Sequence, residues 1–407
     1  MNAVGIDVSK GKSTVAVLRP FGEVVASPFD VAHTGSDLKA LANFIKKLPG
    51  ETKVVMEATG NYYEPIARYL HEQNIFVSVV NPILVKDYST KSLTVRKVKT
   101  DKKDALKIAS FALDRWNELS PFSAQSEARL LLKSYNRQYN QYNKLKIILK
   151  NNLIALLDQT FPGANTLFST PTRKSDGHEK WVDFVLKFSH SECISKKSFS
   201  FFLKSYLSWC KKFGYKFSKS KAQAVYDFAC NCSPSLSFSD SSALLVSNAI
   251  IQLNSINETL ASLASEMNKI AATLPEYDSV MSMFGVGSVL GSQLIAEIGD
   301  VSRFPNKKAL VGFAGLDASP FQSGNFNPQS RSISKRGSAA LRKTLFQVMS
   351  VVLQRAPTNN VIFQFMDKKR SEGKHFYVYM TAAANKFLRI YYARVTEHLN
   401  LFTTTTA

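Results

Sequence analysis

The sequence predicts an α/β domain at the start of the chain, then a long helical middle with coiled-coil character, then a mainly α-helical final region. Three observations carry this. Up to about residue 115, short apolar runs of strand character alternate with segments of helical period. In the middle, residues 126 to 157 and 246 to 274 repeat apolar side chains at three- and four-residue steps. Beyond 276 the apolar spacing is again helical and is punctuated by glycine turns.

The elements of the first region follow in order. Residues 3 to 8 (Ala-Val-Gly-Ile-Asp-Val) read as a strand, and Thr14 to Leu18 as its hairpin partner across a glycine-containing turn at Lys10 to Lys12. Glu23 to Ala26 reads as a third strand. Ser36 to Leu48 puts Leu38, Leu41, Phe44 and Ile45 on one helical face. Lys53 to Met56 is an apolar strand ending at Glu57. A helix over Tyr62 to Gln73 and a strand over Ile75 to Val80 come next, closed by Asn81-Pro82. A basic segment then runs into a helix over Ala105 to Leu113.

Acids punctuate this pattern. Asp7 interrupts an otherwise apolar strand, where a carboxylate is costly unless it is paired or binds metal. Glu57 stands at a strand end. Asp101 and Asp104 lie among five cations, Arg96, Lys97, Lys99, Lys102 and Lys103. If Thr100 caps a helix there, the two acids share a face near its first turn. Carboxylates bind hard cations such as Mg²⁺, and flanking Lys and Arg suit phosphate. Each acid alone has a plain structural reading: Asp7 paired with a lysine, Glu57 capping the following helix, Asp101 as a cap. Together and in this order they give the Asp-Glu-Asp-Asp layout of a ribonuclease H or RuvC-like α/β domain. Four such carboxylates can hold two Mg²⁺ ions for phosphoryl transfer.

The middle region, 116 to 275, has two long helical patterns. Residues 126 to 157 fit two heptad registers equally, and Pro162-Gly163 ends them. From Val246 through Leu253, Leu260 and Met267 to Leu274 the spacing is that of a coiled-coil seam. The two stretches can pair as an antiparallel hairpin within one chain, or either can dimerise. Between them, 163 to 243 interleaves Phe199, Phe201, Phe202, Phe213 and Phe217 with lysines. That pattern suits either base stacking or the core of a small helical insert. Cys193, Cys210, Cys230, Cys232 and His190 match no standard zinc-finger spacing.

In the third region, 276 to 407, Phe284-Gly-Val-Gly287 precedes a helix over Ser288 to Ile298. Its glycines, Gly285 and Gly287, either point backbone N–H groups at a DNA phosphate or make a plain interhelical turn. Ser323 sits in a loop before a glycine, close in sequence to Arg331, Lys335, Arg336 and Arg342. A serine among cations fits attack on phosphorus. No His-Asp partner is near in sequence, so a hydrolase triad is not supported. By spacing alone Ser330, Ser332 and Ser334 are equal candidates.

The bulk composition agrees with a nucleic-acid partner. The 407 residues carry 52 Lys plus Arg against 31 Asp plus Glu, a net charge of +21. No apolar run reaches a membrane-spanning length, and the start of the chain does not read as a signal peptide. Four cysteines clustered between 193 and 232 make no disulfide framework for a chain this long. The expectation is a cytoplasmic protein that binds nucleic acid and contacts no membrane.

These stretches resemble the transposases of the insertion-sequence one-ten family and the related Piv-type DNA invertases. The matching segments are Gly5-Ile-Asp-Val-Ser-Lys10, Met56-Glu-Ala-Thr-Gly-Asn-Tyr-Tyr-Glu-Pro65, Val80-Asn-Pro82, Lys99-Thr-Asp-Lys-Lys-Asp-Ala105, Gly285-Val-Gly287, Ala296-Glu-Ile-Gly-Asp300, Phe313-Ala-Gly-Leu316, Gln322-Ser-Gly324 and Ser334-Lys-Arg-Gly337. They occur in the family's order and do not cover the insert at 163 to 243. The resemblance implies a RuvC-like domain over 1 to 115 with catalytic, metal-holding Asp7, Glu57, Asp101 and Asp104. It also implies a coiled-coil region and a C-terminal transposase domain whose nucleophile is Ser323. It further implies a structured noncoding bridge RNA that pairs with donor and target DNA, the protein gripping backbones and shape.

Three functions are compatible with these residues. The first is a DNA recombinase working as a homo-oligomer, in which Ser323 forms a phosphoserine link to DNA that a DNA hydroxyl later displaces. The second is a Holliday-junction resolvase or nuclease using water on the same carboxylates, for which Ser323 is dispensable. The third is a non-catalytic nucleic-acid-binding protein with structural acids. The Gln-Ser-Gly stretch favours the first over the second, and the four ordered acids argue against the third.

Overall fold

The computed structural model describes residues 1–58, 60–90, 100–173, 177–318 and 332–405. The chain forms two compact units, Met1–Ser126 and Glu127–Ala407.

The first unit is built on a five-stranded sheet: β1 (Asn2–Val8), β2 (Lys12–Leu18), β3 (Val24–Ala32), β4 (Thr52–Glu57) and β5 (Val77–Val80). The spatial order is β3-β2-β1-β4-β5. β1, β2 and β3 pair antiparallel, whereas β4 and β5 join parallel to β1. β3 runs six residues past the expected Ala26, to Ala32. As the edge strand it is half-exposed, with a register shift opposite Val17 and a proline at position 28, so its alternation is blurred in the sequence.

Helices α1 (Gly35–Lys46) and α2 (Tyr63–Glu72) cover one face of the sheet. Leu38, Leu41, Ile45, Ile66 and Leu70 pack there against Val4, Ile6, Val15, Val17, Val54 and Met56. The other face takes α3 (Pro82–Thr90), which the sequence reading did not foresee, and α4 (Asp101–Asp114). Ile108, Ala109 and Ala112 of α4 pack with Ala3, Leu18 and Val55. Alternation along β1 explains the division: Val4, Ile6 and Val8 point one way, and Ala3, Gly5 and Asp7 the other.

The second unit is helical. α5 (Glu127–Thr160) is followed by the insert helices α6 (Lys180–Lys187), α7 (Glu192–Ser195), α8 (Phe199–Phe213) and α9 (Lys219–Cys230), and then by α10 (Asp240–Ala272). α5 and α10 lie against each other along their lengths. Leu153 and Leu157 share a core with Val246, Ile250 and Leu253, while Leu132 shares one with Met267 and Ala271. The pair is therefore antiparallel within one chain. In the insert, Phe202, Tyr206 and Trp209 are buried and Phe199 and Phe213 pack against that core. Phe201 and Phe217 stay exposed. Both ring nitrogens of His190 serve the backbone: Nδ1 accepts from the Glu192 amide and Nε2 bonds the Leu236 carbonyl.

The remainder is α11 (Tyr277–Met281), α12 (Ser288–Ile298), α13 (Lys307–Ala314), α14 (Ala339–Arg355), α15 (Val361–Ser371) and α16 (Phe376–Thr405). Their core is Leu294, Leu345, Val348, Met380, Phe387 and Tyr391, among others. Among the described residues no helix is long and apolar enough to cross a membrane.

Candidate active site

Strand register places the first two acids. Ile6 of β1 is the parallel partner of Met56 of β4. The residues that follow, Asp7 and Glu57, therefore end neighbouring strands side by side, roughly 5 Å apart along the hydrogen-bonding direction. Both are half-buried and both leave the sheet on the face that α4 covers.

α4 brings the other two. Thr100 caps it, its hydroxyl accepting from the Lys103 amide at 3.3 Å. A carboxylate in the first turn also complements the helix dipole. The helix lies close over Gly5. A Cβ there would stand 2.2 Å from the Ala105 carbonyl oxygen and 2.4 Å from the Ala109 amide, so only glycine admits α4 at this distance. Beyond its C-terminal end, Lys53 Nζ donates to the Trp116 carbonyl at 2.9 Å and sits 4.6 Å over the Trp116 ring. Lys53 is the register partner of Ala3, at the start of β1. α4 thus runs antiparallel to β1, and its first turn, with Asp101 and Asp104, points toward the strand ends that carry Asp7 and Glu57. Asp101 is exposed; Asp104 is half-buried and pairs with Lys107 at 2.8 Å. Lys102 and Lys103 are exposed beside them.

An all-oxygen carboxylate donor set suits Mg²⁺ or another hard divalent cation. Asp7 and Glu57 would be the strand-borne ligands, Asp101 and Asp104 the helix-borne ones. Among the described residues no three His, Cys, Asp or Glu side chains already converge closely enough to hold an ion. The match lies in the donor chemistry and in the shared end of the sheet.

Residues beyond the four acids stand on the same face. Thr14 is the antiparallel partner of Asp7, and Asp30 is that of Thr14. Thr14 Oγ1 donates to Asp30 Oδ1 at 2.8 Å, and Lys12 Nζ donates to Asp30 Oδ2 at 3.0 Å. The hydrogen bond from Thr14, then that from Lys12, holds the Asp30 carboxyl below its usual range. The bond to Asp30 pushes the Lys12 ammonium up, with Asp101 adding a smaller share. Sequence reasoning passed over these residues. The available signal was a threonine opening the apolar run of β2 and an aspartate between Phe29 and Val31 near the end of β3.

In the second unit two of the motif stretches meet. The amides of Ser334, Lys335 and Ser338 donate to the carbonyls of Asp317, Gly315 and Phe313 at 2.8, 3.2 and 2.8 Å. A Cβ on Gly337 would lie 2.1 Å from the Phe313 carbonyl oxygen, so glycine lets the segments cross. Arg342 Nη1 donates to the carbonyls of Ala314 and Gly337 at 2.9 and 3.1 Å, which pins the crossing. Lys335 and Arg336 remain exposed on it. Glu297, a lone acid in an apolar helix, is buried and accepts from Asn136 at 2.7 Å, Arg137 at 3.0 Å and Ser338 at 3.2 Å. Gly285 packs against Val348 and Val352 of α14, whereas the space around Gly287 is open. Arg96, Lys97, Lys99, Ser323 and Arg331 lie outside the described residues.

The chain is similar to several known proteins. Residues 4–162 match the DEDD-type IS110 family model, described as a transposase, and residues 277–362 match the model described as the transposase IS116/IS110/IS902 family. The pilin gene-inverting protein of Moraxella lacunata is 22% identical over 346 residues, covering 85% of this chain and 80% of that protein. The protein of the same name from Moraxella bovis matches equally. An uncharacterized 42 kDa protein of insertion element IS900 from Mycobacterium paratuberculosis is 28% identical over 120 residues, 29% of each chain. Among solved structures, Thermus thermophilus RuvC aligns over 30% of this chain and all of its own, with 15% identity and a TM-score of 0.24. Two models of one family, matched in the expected order at residues 4–162 and 277–362, leave a single assignment: the chain belongs to the IS110 family of transposases, enzymes that carry out phosphoryl transfer on DNA.

Proposed function

We propose that this transposase breaks and rejoins DNA by serine attack on phosphorus. Asp7, Glu57, Asp101 and Asp104 are its divalent-metal ligands and Ser323 is its nucleophile. The observation that carries the first half is the parallel register of Ile6 with Met56, which sets Asp7 and Glu57 side by side at the end toward which α4 begins. When bound, Mg²⁺ supplies Lewis-acid polarisation of the phosphate and charge stabilisation for the attacking and leaving oxygens. The carboxylates orient that charge, and Lys102 and Lys103 meet the flanking phosphates. The Ser323 hydroxyl loses its proton and forms an Oγ–P bond while the P–O bond of the strand breaks, releasing a DNA hydroxyl. A second DNA hydroxyl then displaces the serine, so the phosphodiester is restored without an external energy source.

The likeness to pilin gene-inverting proteins over 85% of the chain favours rejoining over simple hydrolysis. Donor and target DNA are the substrates, and a bridge RNA chooses them by base pairing. The exposed Lys335 and Arg336, together with Gly287, contact nucleic-acid backbone in this reading, as do Arg96, Lys97, Lys99 and Arg331. Two DNA ends require more than one copy of the chain. Exposed Ile147, Ile148, Leu244, Leu245 and Ile251 on α5 and α10 offer the apolar surface for self-association.

The test is a denaturing gel of protein, Mg²⁺, total host RNA and labelled DNA carrying the element's end junction. Wild type is expected to give a slow-migrating covalent adduct that Ser323→Ala, Asp7→Ala and Glu57→Ala each lose. Free cleaved DNA in both the wild-type and Ser323→Ala lanes, with no adduct, would replace the serine by water. Normal recombination by Asp7→Ala or Glu57→Ala would remove the metal role.

A further inference from the structure

We propose that Lys12 is a phosphate-contacting residue at the rim of the carboxylate centre, and that Thr14 and Asp30 position it. The inference rests on the reading of that centre as one that acts on DNA. Its own support is a row across three strands: Asp7, Thr14 and Asp30 are successive register partners and leave the same face of the sheet. Two strand spacings separate Asp7 from Asp30, roughly 10 Å. Lys12 stands two residues before Thr14, on the same face and roughly 7 Å further toward the end of the sheet that carries Asp7.

The side-chain bonds run along this row. Thr14 fixes one oxygen of Asp30 at 2.8 Å and Lys12 takes the other at 3.0 Å. An ammonium has three donors, and Asp30 uses one. The Lys12 side chain is 53% exposed, so its remaining donors face solvent. Asp101, at the start of α4, is near enough to act on the Lys12 charge, and Lys102 near enough to act on that of Asp30. By strand register the cation lies at the end of the sheet that carries Asp7, the end toward which α4 begins. A phosphate approaching Asp7 and Glu57 there must come past a carboxylate-rich surface. A cation held at the rim offsets that repulsion for the phosphate next to the reacting one. Asp30 lies beyond Thr14 from Asp7, so its task is to hold the lysine.

An ion pair at this exposure adds little stability by itself, and charge on an edge strand has a known use against sheet–sheet aggregation. The two roles separate by salt dependence. Binding of full-length protein to a short labelled duplex is followed by fluorescence anisotropy across a KCl series, all in the Asp7→Asn background to prevent turnover. Loss of one phosphate contact lowers the slope of log K against log salt by about 0.9. Lys12→Ala is expected to show that drop and Lys12→Arg to restore the slope. Asp30→Asn is expected to weaken binding less than Lys12→Ala does. An unchanged slope in Lys12→Ala, with the melting temperature unchanged or lowered, would leave an edge-strand ion pair only and overturn the proposal. In parallel, cleavage by otherwise wild-type protein is compared with cleavage by Asp7→Ala. Equal cleavage would sink the metal-centre reading while the slope still reports on Lys12.

Discussion

Ser334 is joined to Asp317 twice, its amide donating to the Asp317 carbonyl at 2.8 Å and its hydroxyl to the Asp317 carboxylate at 2.6 Å. The pair fixes the distance between two points of the chain that are 17 residues apart. It also distinguishes among the serines that sequence spacing left equal. The Ser334 proton is committed to a carboxylate that the fold uses as a tie. Ser334→Ala is therefore expected to retain the covalent DNA adduct, at a stability cost of about 1 kcal/mol for the lost hydrogen bond. Ser323→Ala should abolish the adduct. An adduct that disappears in Ser334→Ala but survives in Ser323→Ala would exchange the two roles.

Gly5 tests whether the position of α4 matters to the chemistry. Any side chain there meets backbone, not a movable side chain, since the Ala105 oxygen lies 2.2 Å from an added Cβ. Gly5→Ala must push the helix that carries Asp101 and Asp104 away from the sheet. We expect a loss of about 3 kcal/mol or more, together with loss of DNA cleavage in whatever fraction stays folded. Ala109→Gly in the same chain should not rescue it, because the 2.9 Å contact with Ala109 Cβ is the lesser clash. Full cleavage by a folded Gly5→Ala protein, measured beside its circular dichroism, would show that the helix-borne acids need no fixed distance from the sheet.

Much of this was legible in the sequence, for local reasons. The hairpin, the parallel strands and the helix at Asp101 are set by alternation, by turn residues and by a Thr100 cap that works over three residues. Asp7 and Glu57 were visible because an acid in an apolar strand is conspicuous. Asp30 was not, because β3 is an edge strand whose polar positions look like ordinary surface. Residues that act across long separations were equally hidden. The crossing of 313–317 with 334–338 depends on backbone bonds between segments about 20 residues apart, and periodicity does not report those. Likewise, α5 and α10 showed their seams but not their partner. The shared cores at both ends of the hairpin identify it as intramolecular.

Arg129 and Glu276 form a buried bidentate pair between the start of α5 and the residue preceding α11. The side chains are 10% and 1% exposed, so neither charge has water to fall back on. Removing one partner takes from the other its main counter-charge, and breaking a buried pair typically costs about 3–5 kcal/mol. Arg129→Met or Glu276→Leu alone should therefore lower the melting temperature sharply. The double variant should recover much of that loss, because two apolar groups leave no orphaned charge. Additive losses in the denaturation cycle would mean that the two side chains act independently of their pairing.

Glu179 gives the second unit a defined acid dependence. Burial pushes its pKa up, but the hydrogen bonds from Lys150 and Trp181 outweigh that and hold it below the ordinary value of 4.5. Both Glu179 oxygens accept from Lys150, at 2.7 and 2.8 Å, which ties α5 to the start of α6. A depressed carboxylate pKa stabilises the fold above the unfolded-state value, and the contribution is lost as the pH falls through the folded-state value. Glu179→Gln should therefore be less stable than wild type at pH 7, by about 1–2 kcal/mol for a partly exposed charged pair. That gap should close as the pH drops below 4.5. Trp181 and Trp209 lie in the same core and report its unfolding by fluorescence. A gap that stays constant from pH 7 to pH 3.5 would assign the loss to packing at the α5–α6 contact, with the charge of Glu179 contributing nothing.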